Sequence, residues 1–418
     1  MKYLITLFML LFLFVFPHIT SAEEMVTVQL VNYVEDTSSL HFELEGSFFT
    51  LDPTVALKEG VRYTLSVVDG SLILEGNNET FNLDQSFILV PETYNKNHLI
   101  HIDDRPYLGA MEWRIEDNEY LRPVNQLPLE DYLKGVVPFE VYPSWGLETL
   151  KAQAVAARTY AASHLREEID DTISYQVYGG YTWSEATTRA VEETKGKVIT
   201  FDNKLISAFY SASNGGVTEN NTHVWGGEAK SYFPIKQDPY DPIHPWEFIL
   251  HQTQIDMEEI NWEDPNWWDK IEEKDLEITT SIKKRLVKNG YPGDLKILSI
   301  PEFKVDNDRL ESQRSVKGSI TIEFFQRIID GTVLFRQLKL EDVDLNQIRP
   351  LIGGNQFKSY LIDSLEASKG VYKVKGRGYG HGVGMSQWGA NFMGEQGKSY
   401  QDIIEFYFPG TTITTFTE

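Results

Sequence analysis

PLEDYLKGVVPFEVYPSWGLETLKAQAVAARTYAA, residues Pro128 to Ala162, sets the carboxylate of Glu140 among Val136, Val137, Phe139, Val141, Tyr142 and Trp145. Burial beside such groups disfavours the charged carboxylate and raises its pKa. A carboxylic acid tuned in this way can protonate a leaving oxygen near neutral pH. The competing reading makes Glu140 an ordinary partner of Arg158 or of a backbone donor. The segment after Glu140 reads as a helix from Pro143 and Ser144 to about Arg166, with Ser144 at its N-cap. Leu147, Leu150, Ala154, Ala157, Ala161 and Leu165 recur at helical spacing and give it one apolar face. Its alanines allow close packing. Lys151, Gln153 and Arg158 are its candidate substrate ligands, against the plainer reading of a solvated helix face.

Two further stretches carry polar groups in unusual settings. Ser211 to Thr218 (SASNGGVT) follows an apolar strand, and Ser211 and Ser213 could offer hydroxyls from a turn. Gly376 to Ala390 (GRGYGHGVGMSQWGA) has glycine at every second position from 376 to 384. Read as a strand, it presents one bare face and places Arg377, Tyr379 and His381 on the other. Bare backbone in a strand marks close approach by something, either a polymeric ligand or another part of the chain. Neither the dinucleotide fingerprint nor the P-loop fits here. His223, His244 and His381 match no metal-binding spacing, and no metal or other cofactor is expected.

The chain has 418 residues, a net charge of −24 and no cysteine. Length allows two or three domains, and the composition suits a packed core. The acidic balance argues against nucleic acid, which demands a basic surface. Absence of cysteine excludes disulfides, a thiolate nucleophile and cysteine-ligated zinc. At the N-terminus, Lys2 precedes an apolar run from Leu4 to Phe16, with small residues at Thr20 and Ala22. That pattern predicts a secretory signal over residues 1–22. The expected location is extracytoplasmic, secreted to the cell wall or held at the membrane by an uncleaved signal.

The fold class expected is α+β. Residues 23–125 read as a β-rich module, with a hairpin turning at Asp69 and Gly70. Residues 126–418 read as a mixed α/β catalytic domain, with a tryptophan-rich insertion over 240–310 that holds Trp246, Trp262, Trp267 and Trp268. Within that domain a helix is expected from Ser184 to Gly196, and then a hairpin through Asp202 and Asn203 that returns over Leu205 to Tyr210. Another hairpin turns at Asp330 and Gly331. Ser399 and Asp402 stand at capping-box spacing before a last helix.

Taken in order, LPLEDYLKGVVPFE (127–140), LKAQAVAARTYA (150–161), SASNGG (211–216), VWGG (224–227) and GRGYGHGVGMSQWGA (376–390) resemble the SpoIID/LytB domain family, which comprises the stage II sporulation protein D and the amidase-enhancer proteins. The resemblance spans roughly 120 to 411. It departs from the common pattern at Val141 and at Ser213-Asn214. It implies a peptidoglycan lytic transglycosylase that cleaves the bond between MurNAc and GlcNAc with formation of a 1,6-anhydro sugar, with Glu140 as the single catalytic acid and base. The family's other branch implies a non-catalytic enhancer of a cell-wall amidase. Lys151, Gln153, Arg158, Ser211, Ser213, Tyr379, His381 and Gln387 are the residues expected to position a glycan strand. A wall amidase is the protein partner expected.

Overall fold

The computed structural model describes residues 24–416, and the segment read as a signal lies outside them. Strands and helices are interleaved in several sheets, an α+β architecture. The first six-stranded sheet runs in the order Glu168–Asp170, Met25–Gln29, Tyr120–Pro128, Ala110–Glu116, Ser86–Pro91, Phe48–Thr50. A second contains the predicted hairpin, Arg62–Val68 paired with Ser71–Gly76. Asp69 and Gly70 both have positive φ, the conformation that a tight two-residue hairpin turn requires. The two sheets face each other across Trp113, which packs on Phe42 at 4.8 Å and on Phe87 at 5.7 Å.

Helix α1, Leu129–Glu140, begins where the strand Tyr120–Pro128 ends. Its Leu129, Tyr132, Leu133, Val136 and Val137 join the core that contains Trp113 and Val28. The first sheet is itself completed by Glu168–Asp170, which comes from beyond the next helix and runs parallel to Met25–Gln29. The position 125/126, where the sequence suggests a change of module, therefore lies within one continuous core.

Helix α2, Leu147–Ala162, starts three residues later than its sequence suggests. Gly146 occupies the N-cap and Ser144 is exposed, because Trp145 donates its amide to the Tyr142 carbonyl and residues 141–146 form the turn between the helices. The single apolar face expected is also too narrow a description. Leu150, Ala154, Ala157 and Ala161 enter the core of the β-rich half, while Ala152, Val155 and Ala156 enter a second core with Ile199, Phe233, Met385 and Tyr407. From Ala152 to Ala162 every residue of the helix is buried, and its alanines let both neighbours approach.

The tryptophan-rich section is likewise built into its surroundings. Pro245–His251 pairs along its length with Val371–Arg377, and Asp294–Val305 with Lys317–Arg327, which continues to Val333–Asp344. The interval 240–310 thus supplies strands to two sheets, and its end at 310 falls inside a meander. Trp246 and Trp268 are buried, whereas Trp262 is half-exposed.

Local signals elsewhere are met in part. Ser399 and Asp402 form the capping box of the helix Tyr400–Tyr407. Ser184 precedes the helix Glu185–Glu193 but makes no side-chain cap. The Asp202-Asn203 turn forms, yet its return strand is only Lys204–Leu205. Tyr210–Ser211 instead pairs in parallel with Met385–Ser386.

The glycine-rich stretch differs most from expectation. The strand Val371–Arg377 stops there, and Gly378, Gly380, Gly382 and Gly384 all have positive φ, from 75° to 109°. The chain is a folded loop whose bare positions are filled by the protein. A side chain on Gly380 would meet Ser211, one on Gly382 the Arg314 guanidinium, and one on Gly384 the Phe209 carbonyl. Gly382→Ala combines left-handed strain with that collision, a cost of about 1–3 kcal/mol from the backbone alone. Calorimetry should record a Tm several degrees below that of the parent protein; an unchanged Tm would remove close packing as the reason for this glycine.

Candidate active site

Glu140 is the last residue of α1, and three other segments meet it there. Its Oε1 accepts the Val177 amide at 2.9 Å, and its Oε2 accepts Gln387 Nε2 at 3.4 Å. The Tyr210 hydroxyl also donates to the carboxylate. Gln176 fixes the direction of that donation. Its amide nitrogen donates to the Tyr210 oxygen at 2.9 Å and to the Ala157 carbonyl at 3.3 Å, while its amide oxygen accepts from Tyr132 at 3.3 Å. The Tyr210 oxygen is thereby occupied as an acceptor, which leaves its proton for Glu140. Burial holds the Tyr210 phenol protonated, and the neighbouring Glu140 charge acts the same way.

Desolvation raises Glu140 from its ordinary 4.5 to about 7, against the three hydrogen bonds that favour its charged form. Its place at the C-terminal end of α1 works in the same direction, since the helix dipole is negative there. The groups acting on it are an amide, an amide side chain and a phenol, with no carboxylate among them. Glu140 is only half-buried, so it remains within reach of a ligand.

A folded-state pKa above the unfolded value means that the native protein binds the extra proton between about pH 4.5 and 7. Stability therefore falls as pH rises through that window and levels off above it. Glu140→Gln removes the dependence. Its Tm should match that of the parent protein near pH 4 and exceed it at pH 8; a parallel shift at both pH values would mean that burial does not control this carboxyl.

The structure brings Gln387 directly to Glu140 and His381 to its border. His381 Nδ1 accepts the Val383 amide at 3.0 Å, and its ring bonds to the Tyr210 backbone. Burial, helped by the Arg314 charge, lowers His381 to about 4, so it is neutral at physiological pH. Ser211 and Ser213 build the loop beneath. Ser211 Oγ accepts the Gly382 amide, and Ser213 donates to Asp241 at 2.8 Å. Asp241 also receives Ser386, the N-cap of the helix Gln387–Glu395, and so fixes where Gln387 begins. Tyr379 is partly exposed and donates to Asn355. His223 bonds to Glu219, and His244 packs on Trp388 at 4.7 Å.

Three candidates on α2 have other partners. Lys151 pairs with Glu148 and Glu193. Arg158 is fully buried and grips Glu130 with two 2.8 Å bonds, and it also donates to Thr194 and to the carbonyls of Val191 and Lys197. It is therefore neither a partner of Glu140 nor a free ligand. Gln153 is buried, and among the described residues no group bonds its amide. It lies on the Thr149–Gln153–Ala157 stripe, whose ends meet the Ala390 carbonyl and Gln176. Arg158→Ala leaves Glu130 without its counter-charge, and urea titration should show a loss of about 3–5 kcal/mol; a stable variant defective only in ligand binding would return Arg158 to the ligand set.

Sequence reasoning missed Tyr210, Gln176 and Val177, and it missed that Trp388 joins the rings Tyr142 and Trp145 that follow Glu140. Tyr142, Trp145 and Trp388 interlock with centroids 5.0–5.9 Å apart. Trp388 directly follows Gln387 in a motif already singled out, and that adjacency was the available signal. Trp225, from VWGG, packs on Phe209 at 4.5 Å and on His381 at 4.9 Å.

A tuned glutamate at a helix end, met by the Val177 amide, the Tyr210 hydroxyl and the Gln387 side chain, defines the site on an α+β scaffold. The sequence model of the SpoIID family, described as Stage II sporulation protein, matches residues 117–201. The chain is 38% identical over 390 residues to a Bacillus subtilis (strain 168) protein named amidase enhancer, in an alignment covering 92% of this chain and 54% of that one. It is 30% identical over 313 residues to the stage II sporulation protein D of Bacillus amyloliquefaciens, covering 70% of this chain and 75% of the relative. The Bacillus subtilis protein of the same name is 28% identical over 314 residues. The chain belongs to the SpoIID family. It spans about half the length of the amidase enhancer it matches.

Proposed function

We propose that the protein is a lytic transglycosylase acting on peptidoglycan glycan strands outside the cytoplasmic membrane. The observation that carries this reading is Glu140, half-buried, with its pKa pushed to about 7 and no carboxylate among the groups acting on it. Hydrolysis by the usual route needs a second carboxylate to activate water or to attack the sugar. Intramolecular transfer needs only one group that gives a proton and takes one back.

Protonated Glu140 donates to the oxygen linking C1 of MurNAc to GlcNAc, and the C1–O bond breaks. The C6 hydroxyl of the same MurNAc then attacks C1, and its proton passes to the Glu140 carboxylate. The products are a 1,6-anhydro sugar and a free GlcNAc hydroxyl. No water is consumed, and the acid is regenerated. Gln387, Tyr210 and the Val177 amide stabilise the carboxylate between the two proton transfers.

Mass spectrometry of intact and peptide-stripped peptidoglycan incubated with the protein tests this directly. Anhydro-ended fragments are expected. Their formation should fall by about 10²–10⁴-fold in Glu140→Gln, the usual contribution of a positioned acid. Reducing ends in place of anhydro ends would point to a hydrolase, and parental turnover in Glu140→Gln would overturn the assignment.

The similarity to a protein named amidase enhancer favours one second reading, stimulation of a wall amidase without catalysis. Amidase stimulation that survives Glu140→Gln, with no cleavage of either glycan by the parent protein, would select it.

A further inference from the structure

Two groups of aromatic rings that the proton-transfer chemistry leaves unused lie at the two ends of the strand pair that brings Tyr210 and Gln387 to Glu140. The segments 209–211 and 384–388 run side by side in the same direction, with Tyr210 opposite Met385 and Ser211 opposite Ser386. At one end Phe209 carries Trp225, which also touches His381. At the other end Gln387 leads into Trp388, packed with Trp145 and Tyr142. Tyr210 and Gln387, which hold the Glu140 carboxyl, lie between these ends. Each group has one ring turned to solvent: Tyr142 is 59% exposed and Trp225 52%.

A single exposed aromatic on a protein surface needs no explanation. Two interlocked groups at opposite ends of the strand pair that carries the Glu140 partners, each with one ring open to solvent, are a different matter. The C–H face of a pyranose packs on a flat ring, and an aromatic body with a polar edge suits a ligand that is apolar on one face and hydroxylated at its rim.

We infer that Tyr142 and Trp225 are sugar-stacking platforms on either side of the scissile bond, so that the site grips a glycan strand across the acid instead of recognising one terminal sugar. The inference rests on the proposed glycan chemistry and adds to it where the polymer lies and which residues set its affinity.

Binding separates the two. In a Glu140→Gln background, calorimetric titration with peptide-stripped glycan of tetrasaccharide and octasaccharide length measures affinity without turnover. Tyr142→Ala and Trp225→Ala should each weaken octasaccharide binding by about 3–10-fold, the worth of one aromatic stack. In the cleaving protein the same changes should raise KM and leave kcat in place. The tetrasaccharide should lose affinity to one variant more than to the other, since it cannot cover both ends equally. Both side chains are half-exposed, and Trp225→Leu keeps an apolar contact with Phe209 while removing the flat face, so a folded variant is available on each side. Cleavage with unchanged affinity in both variants overturns the platforms and leaves the transglycosylase standing. Tight binding that depends on both rings, with no cleavage by the parent protein, keeps the platforms and removes the transglycosylase. Absence of binding at either length removes both.

Discussion

Arg158 sits in the middle of a helix buried on every side, with no exposed surface of its own. Removing a guanidinium from water is tolerable only if its charge and all its donors are met. Here they are: Nε and Nη2 bind the two oxygens of Glu130, Nη2 also binds the Val191 carbonyl, and Nη1 binds Thr194 and the Lys197 carbonyl. One side chain thereby ties α2 to the first turn of α1 and to residues 191–197. The far end of α1 is where Glu140 emerges, so the direction of the acid depends on a contact almost three turns away.

The acid itself is assembled from distant pieces. Val177 comes from the loop after the strand Glu168–Asp170, Tyr210 from a two-residue strand, and Gln387 from the start of a helix capped by Ser386. Asp241 holds Ser213 and Ser386 together, which couples the loop around Ser213 to the helix carrying Gln387. Glycine at 380, 382 and 384 lets that loop fold against Ser211, Arg314 and Phe209. The polar residues nearest in the motifs therefore act mainly as scaffold.

Much of the local structure was legible because its causes are local. The Asp69-Gly70 and Asp330-Gly331 turns and the Ser399–Asp402 capping box each rest on residues within a few positions of one another. The setting of Glu140 was legible for a related reason, since its apolar neighbours in sequence are also part of what buries it. The roles of Lys151, Arg158, Ser211 and Ser213 were not legible. Their partners are Glu193, Glu130, Gly382 and Asp241, and spacing along one helix or turn carries no information about them. Alternating glycine was misread as a bare strand because the pattern is the same whether the backbone is extended or left-handed at each glycine.

The sequence alone determined the α+β class and the family motifs, because these depend on residue type and on neighbours along the chain. Tertiary structure decided which polar groups face Glu140, that α2 is shared by two cores, and that residues 240–310 are woven into two sheets. Those outcomes depend on contacts between residues far apart in the chain, such as Glu140 and Gln387, 247 positions apart, and only a folded chain brings them within hydrogen-bonding distance.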